Sequence, residues 1–114
     1  MTTEALVHTW FKIWEDGNFE DLPISDDFTH ISPYGNITRK ANYLNLVTAN
    51  KDQFLGHTFE LLDTIFQENK ACIRYIAHHK DSKLEVTEWH YINNEKINKV
   101  VAYYNIETER IEKY

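Results

Sequence analysis

The first apolar pattern in the chain predicts an amphipathic helix over residues 3–16. Its apolar residues recur at the spacing of one helix face: Leu6, Trp10, Ile13 and Trp14, with Val7 and Phe11 widening the stripe. Thr2 or Thr3 can cap the start of this helix, and Gly17 is predicted to end it in the left-handed conformation. A very short second helix is predicted from Asn18 to Leu22.

The next segment alternates between polar and apolar residues, which is typical of a strand. Over residues 27–32 this strand places Phe28, His30 and Ser32 on one face. The Pro-Tyr-Gly-Asn sequence at 33–36 then predicts a turn, because proline cannot extend the hydrogen-bond ladder.

From Thr38 the pattern becomes helical again and then extended. Thr38 is the predicted cap of a helix over residues 39–50, and Gly56 closes that segment. Four strands follow, at about 57–67, 71–79, 84–92 and 97–107, separated by short polar segments typical of hairpins. Helices before a run of antiparallel strands predict an α+β fold, a single domain over residues 1–114. We expect the helices to cover one face of a cone-shaped, curved antiparallel sheet.

The hairpin at residues 80–83 predicts which side chains point into this cone. A two-residue turn at Asp81-Ser82 would pair Tyr75 with Glu88 and Ile73 with His90. The inner face would then carry Ile73, Tyr75, Ala77, Val86, Glu88 and His90. The outer face, with Arg74 opposite Trp89 as a cation–π pair, would be solvated or shared with a second subunit. In the last strand either Val100, Ala102 and Tyr104 or Val101, Tyr103 and Asn105 face inward, and the pattern leaves both choices open.

Composition and charge exclude several classes of protein. The net charge is −6 without a basic stripe, which argues against a nucleic-acid partner. The single cysteine, Cys72, excludes an internal disulfide and a cysteine-based metal cluster. No apolar run is long enough to span a membrane, and the first residues lack a signal-peptide pattern, so we expect a cytoplasmic protein. Aromatic residues, at 14%, exceed what a small core needs and favour a ligand pocket or a subunit interface.

The inner face holds three residues that could carry acid–base chemistry: His30, Glu88 and His90. A neutral imidazole takes up a proton near pH 7, and a neighbouring carboxylate stabilises the resulting cation. The alternatives are a buried hydrogen-bonded network and ligand recognition without turnover. No spacing typical of a zinc site is present, so no metal is predicted. The predicted substrate-binding residues are Trp10, Trp14, Ser32, Tyr43, Tyr75 and Tyr104, for whose aromatic members core packing is the alternative.

Several segments also carry a family resemblance. They are Trp10 to Gly17 with Asn18-Phe-Glu-Asp-Leu22, Asp26-Asp-Phe-Thr-His-Ile-Ser-Pro-Tyr-Gly35, and Trp89-His-Tyr-Ile-Asn-Asn-Glu-Lys-Ile97 continuing into Val100-Val-Ala-Tyr-Tyr-Asn105. With these the whole chain resembles the SnoaL-like branch of the nuclear transport factor 2-like superfamily. The resemblance implies a cystatin-like conical α+β barrel, a deep apolar pocket and a homodimer formed through the outer sheet face. Enzymes of the superfamily include ketosteroid isomerase, polyketide cyclases, scytalone dehydratase and limonene epoxide hydrolase, while other members only bind small molecules.

The isomerase's functional residues carry over poorly to this chain. Its oxyanion-stabilising tyrosine falls on Trp10, its base aspartate on Ser32, and its second aspartate on or beside Glu88. A ketosteroid isomerase is therefore not predicted. Two functions remain: a pocket for a small hydrophobic or oxygenated molecule, or a cofactor-free isomerase, dehydratase or polyketide-cyclase-type enzyme using a His/Glu pair. A pure interaction module, with a filled cone and an apolar outer face around Trp89, is the third possibility.

Overall fold

A computed structural model describes residues 1–106, and its elements confirm the predicted order, in which the helices precede a run of four strands. The elements are α1 (Thr3–Asp16), a 3₁₀ turn (Phe19–Asp21), β1 (Ile24–Ser32), β2 (Gly35–Thr38), α2 (Lys40–Ala49), α3 (Lys51–Phe54), β3 (Thr58–Phe66), β4 (Lys70–His79), β5 (Ser82–Asn93) and β6 (Lys96–Tyr103). The α+β class is confirmed. Within the described residues, no helix has the length and apolar character needed to cross a membrane.

In the described part of the chain the strands form one six-stranded sheet in the order β2-β1-β6-β5-β4-β3. The sheet is mixed and not antiparallel throughout as predicted, because β1 pairs with β6 in parallel while the other neighbours are antiparallel. Register shifts in the β1–β6, β3–β4 and β5–β6 ladders mark local irregularities. Such bulges bend strands and increase their twist, and they curve this sheet into an open cone around the helices.

Helix α1 has the predicted ends. The Thr2 side chain accepts a hydrogen bond from the Ala5 backbone N–H at 3.1 Å, which satisfies one of the free donors of the first turn. Gly17 has φ 84° and donates its N–H to the Ile13 carbonyl. The Glu15 carboxylate accepts from the Phe59 N–H at 2.9 Å and so ties α1 to the edge strand β3.

The predicted turn forms at residues 33–34 and is the tip of a hairpin, because residues 35–38 form the strand β2. Strand β2 pairs with β1, joining His30 to Ile37 and Ser32 to Gly35. Thr38 lies in this strand and does not cap α2; the cap position is Arg39, with φ 76° and no side-chain cap bond. Strand β2 was not predicted because it has a single large apolar residue and forms by pairing with β1.

The β4–β5 hairpin differs from the predicted register by two residues. Tyr75 pairs with Val86, Ile73 with Glu88, and Ala71 with His90. The turn lies one residue earlier than predicted, with Lys80 at a positive φ of 55°. A shift of two leaves every side chain on its predicted face, since the side-chain period of a strand is two.

The predicted Arg74–Trp89 cation–π pair is wrong. Because of the register shift Arg74 lies opposite Thr87, and its guanidinium donates to Asp63 at 2.8 Å and Glu85 at 2.6 Å. Trp89 lies opposite Cys72, with the Lys70 ammonium 5.7 Å from its ring centroid.

The structure also shows where the first strand begins and which side chains of the last strand face inward. Strand β1 begins at Ile24, earlier than the predicted residue 27, because a polar Ser-Asp-Asp run hides its start. In β6, Val100 and Ala102 are buried, so the first of the two inward sets is correct. The last residue of the predicted strand 97–107 lies outside the described residues.

Candidate functional site

The concave side of the sheet and the three helices surround an open cavity of about 500 Å³. Most of its wall is aromatic or aliphatic. Its lining includes Trp10, Phe11, Trp14, His30, Ser32, Tyr43, Phe54, His57, Phe59, Tyr75, Val86, Glu88 and Tyr104. The cone is therefore not filled by its own side chains, as a pure interaction module would require.

Glu88 and His90 form a buried pair on β5. They lie two residues apart on the same strand face, which brings His90 Nε2 within 2.8 Å of Glu88 Oε1. Only 4% of Glu88 and 0% of His90 is exposed to solvent. Glu88 reaches the cavity surface, whereas His90 lies behind it.

The second oxygen of Glu88 accepts a hydrogen bond from Tyr75. The phenol O–H lies 2.6 Å from Glu88 Oε2. Tyr75 stands on β4 opposite Val86, so it reaches Glu88 diagonally across the ladder. The Tyr75 ring packs on Phe11 and Phe59, with centroids 4.9 and 5.7 Å away, which fixes the direction of its hydroxyl.

The pKa of Glu88 is lower than usual although the carboxyl is buried. Burial by itself would raise the pKa, but the hydrogen bond and attraction of His90, the Tyr75 hydrogen bond and the nearby His30 together outweigh it. Glu88 is therefore a carboxylate at neutral pH. Because a carboxylate only accepts hydrogen bonds, His90 Nε2 carries the hydrogen in their contact.

The other nitrogen of His90 indicates the charge of the ring. Nδ1 is buried and has no hydrogen-bond partner among the described residues. A charged imidazolium would leave an N–H donor unsatisfied there, which costs about 1–3 kcal/mol or more. The neutral tautomer leaves only an unused acceptor, in contact with aromatic rings: Trp10 stands edge-on to His90 at 5.3 Å. We assign the neutral tautomer at neutral pH, which leaves the negative charge of Glu88 uncancelled there; the attraction of His90 acts on the Glu88 pKa at the acidic pH at which that carboxyl titrates.

His30 also lines the cavity. It projects from β1 and packs against Tyr43, with ring centroids 5.2 Å apart. Burial lowers its pKa, opposed by the attraction of Glu88 and assisted by His90, so His30 is neutral at pH 7. Within residues 1–106 it makes no hydrogen bond to Glu88 or His90. The structure thus joins Glu88 and His90 by a hydrogen bond, while His30 is close enough to interact electrostatically with both without a direct bond.

The predicted aromatic residues line the cavity. Trp10 and Tyr43 are buried and nearly parallel, at 23° and 6.4 Å. Trp14 packs on Phe19 at 4.9 Å, and its indole Nε1 is buried with no partner among the described residues. Burial raises the pKa of Tyr43 well above its usual value, with Glu88 and Tyr104 adding to the effect.

Ser32 and Tyr104 lie together in another part of the wall. The Ser32 hydroxyl accepts from the Tyr34 N–H at 3.2 Å, and the Tyr34 and Tyr104 rings are 6.1 Å apart. Burial raises the pKa of Tyr104, with the Ser32 hydroxyl opposing the effect. These hydroxyls give the cavity neutral polar groups besides Glu88 and His30.

Several lining residues were not predicted as site residues. Phe11 widens the apolar stripe of α1, and this stripe was the signal that could have placed it on the cavity. Phe54 and His57 lie on α3 and just after it, where no periodicity pointed inward. Among the described residues, no group of three or more His, Cys, Asp or Glu side chains is placed to bind a metal ion.

Comparison with known proteins identifies the fold. No protein-family model matches the chain, and no curated protein matches it in sequence. Among solved structures, it is similar to a nuclear transport factor 2-like protein of unknown function from Cytophaga hutchinsonii. That match has a TM-score of 0.79 and 17% identity, and it covers 92% of this chain and 91% of the other.

Two further structures carry more specific names. A protein from Kribbella flavida, provisionally named a ketosteroid isomerase, matches with a TM-score of 0.77 and 15% identity, over 96% of this chain and 82% of the other. A provisionally named isomerase of the SnoaL-like family from Agrobacterium tumefaciens matches with a TM-score of 0.71 and 15% identity, over 90% and 96%. The chain thus has the nuclear transport factor 2-like fold that SnoaL-like proteins share, as its motifs predicted.

Proposed function

We propose that the chain binds a small, largely hydrophobic molecule in the cavity and anchors it through a hydrogen bond to Glu88. The observation that carries this proposal is an ionised carboxylate on the wall of an open, mainly aromatic cavity. A carboxylate offers about four acceptor sites, and His90 and Tyr75 use two of them. A ligand with a hydrogen-bond donor can bond to a remaining acceptor site of Glu88 while its apolar part packs against the aromatic rings of the cavity.

Titration calorimetry with two probes of similar shape tests this proposal. 2-Naphthylmethanol donates a hydrogen bond, whereas 2-methylnaphthalene does not. We expect the alcohol to bind about tenfold more tightly, which corresponds to about 1.4 kcal/mol, close to the lower end of the range of about 1.5–3 kcal/mol for a hydrogen bond to a charged group. Glu88→Gln should remove most of this difference. Glu85→Gln, on the opposite face of the same strand, is the matched control and should retain it.

Two results would argue against the proposal. If neither probe binds up to its solubility limit, the cavity is not a binding site for such molecules. If both probes bind equally to the wild-type protein, Glu88 is not the anchor.

A cofactor-free acid–base enzyme is the second candidate, and one observation favours it. Glu88 is ionised and His30 is neutral, so two proton acceptors share one cavity. An enzyme of this kind would remove a proton next to a carbonyl group. The test is deuterium exchange at the carbon beside the carbonyl of 2-tetralone in D₂O, followed by NMR. Acceleration over buffer that Glu88→Gln abolishes supports the enzyme; no acceleration favours binding alone.

We also propose that the outer sheet face pairs with a second copy of the chain. Cross-strand partners form one continuous row on this face: Ile31, Val101, Trp89, Cys72 and Ile65. Trp89 is 36% exposed and Ile65 is 65% exposed, so the row presents apolar surface to solvent.

The flanks of this row are complementary in charge. Lys70 and Lys99 lie on one side, and Asp63 and Glu85, with Arg74 between them, lie on the other. A two-fold axis parallel to the row would place the lysines of one copy against the acidic side of the other.

Sedimentation velocity tests the homodimer. We expect a dimer at micromolar concentration and a monomer for Trp89→Glu. Asn45→Glu, which adds the same charge on the exposed surface of α2, should remain dimeric. A monomeric wild-type protein would refute the dimer.

A further inference from the structure

The charges around the cavity are strongly unbalanced. Of the described residues that line it, Glu88 is the sole Asp, Glu, Lys or Arg. The two lining histidines do not supply a positive charge at neutral pH. Burial lowers the pKa of His30, and burial also lowers that of His57, opposed by its bond to the Phe54 carbonyl and assisted by His79. At neutral pH the described residues that line the cavity therefore carry one negative charge and no positive charge.

The partners of Glu88 stabilise this charge without neutralising it. Tyr75 donates from a phenol whose pKa is raised well above its usual value, chiefly by burial and also by Glu88, so it stays neutral. His90 donates from Nε2 as a neutral ring, as its unpaired Nδ1 indicates. A buried charge without a counter-charge is costly, and a cation brought by a ligand would offset that cost.

The rings around Glu88 are also suited to a cation. The lining includes Trp10 and Tyr43, which present nearly parallel rings, and Phe11, Phe59 and Tyr75, which pack together. Aromatic faces carry negative electrostatic potential and attract ammonium groups, most strongly where water is excluded. A carboxylate surrounded by such rings favours an organic cation over a neutral molecule of the same shape, and it disfavours an anion.

We infer that the ligand of this cavity is a hydrophobic amine in its protonated form, with its ammonium group on Glu88 and its apolar body against the aromatic wall. The inference rests on the proposed binding function and specifies the chemical class of the ligand. The alcohol that serves as a neutral probe is then a weak analogue of this ligand.

Calorimetry with three probes of the same ring system tests the inference at pH 7.5. 2-Naphthylmethylamine is protonated at this pH, 2-naphthylmethanol is neutral, and 2-naphthylacetate is an anion. We expect the amine to bind at least about tenfold more tightly than the alcohol, and the anion to show no binding. Glu88→Gln should bring the amine to within about threefold of the alcohol, whereas Glu85→Gln, which removes the same charge from the outer face, should leave the preference intact.

The outcomes separate this inference from the function on which it rests. If the alcohol binds as tightly as the amine, the cation preference is wrong while the binding function stands. If the amine preference persists in Glu88→Gln, Glu88 is not its source and the inference is also wrong. If no probe binds, the proposed function fails with it. The comparison among probes uses the wild-type protein, so it holds even where a variant fails to fold.

Discussion

Replacing Tyr75 by Phe removes one hydrogen bond from Glu88 and little else. The hydroxyl lies 2.6 Å from Glu88 Oε2, and the ring that carries it packs between Phe11 and Phe59. Phe retains that ring, so the packing is preserved. A hydrogen bond to a charged group contributes about 1.5–3 kcal/mol, and we expect the free energy of unfolding at pH 7.5 to fall by about this amount.

The loss should depend on pH in a defined direction. The pKa of folded Glu88 lies below the ordinary value of 4.5, because His90, Tyr75 and His30 outweigh the effect of burial. This lowered pKa stabilises the fold above about pH 4.5 and ceases to do so as the pH falls through the folded value. Tyr75→Phe raises the pKa of Glu88, so its cost should be largest near neutral pH. Once Glu88 is protonated, the cost should fall to about 1 kcal/mol, as for a neutral hydrogen bond.

Urea unfolding followed by tryptophan fluorescence, at steps from pH 7.5 to pH 3.5, measures this cost. A double-mutant cycle with Glu88→Gln isolates the coupling between the two side chains. The reasoning is refuted if Tyr75→Phe costs the same at every pH and its effect adds to that of Glu88→Gln without coupling.

Three further predictions concern stability. Lowering the pH from 7.5 should reduce the free energy of unfolding, first below about 6.5, where the unfolded chain protonates His30 and His57 more readily than the fold does. His30→Gln should weaken this phase and leave the part due to His57, whereas a stability that rises on acidification would contradict the reasoning. Gly17→Ala should lower the free energy of unfolding in urea by more than about 1 kcal/mol, because φ is 84° and the new Cβ would lie 2.6 Å from Leu55 Cδ2. Adding Leu55→Ala should recover part of this loss, and an unchanged urea midpoint for Gly17→Ala would contradict the prediction. Glu95→Gly should raise the thermal midpoint by roughly 3–6 °C, because Asn94 and Glu95 both have positive φ in a turn that favours Asn-Gly. A lower midpoint would show that the contact of Glu95 with the N-terminal amine stabilises the fold more than the turn strain destabilises it.

Sequence reasoning placed Tyr75, Glu88 and His90 on the inner face even though it assigned the wrong register. The faces were correct because a strand alternates sides at every residue, so a shift of two residues exchanges partners but not faces. The contacts between these side chains could not be predicted. Tyr75 meets Glu88 along a diagonal of the ladder, and the apolar pattern of β4 and β5 carries no information on that geometry.

Other features depend on contacts between distant parts of the chain. The parallel pairing of β1 with β6 joins residues about seventy positions apart in the sequence. Strand β2 forms because its backbone can pair with the free edge of β1. His90 lies behind the cavity wall because Trp10 covers it, and such depth cannot be predicted from the alternation of a strand. His30 lines the same cavity as Glu88 and packs against Tyr43, but no hydrogen bond among the described residues joins it to Glu88 or His90, and strand alternation cannot predict whether such a bond forms.

A crystal structure of the protein with 2-naphthylmethanol tests the central claim, that Glu88 anchors a small molecule in the aromatic cavity, most directly. We predict the ligand oxygen within about 3 Å of a Glu88 carboxylate oxygen, with the naphthalene rings against Trp10 and Tyr43. A ligand bound outside the cavity, or one whose hydroxyl group points away from Glu88, would contradict the account.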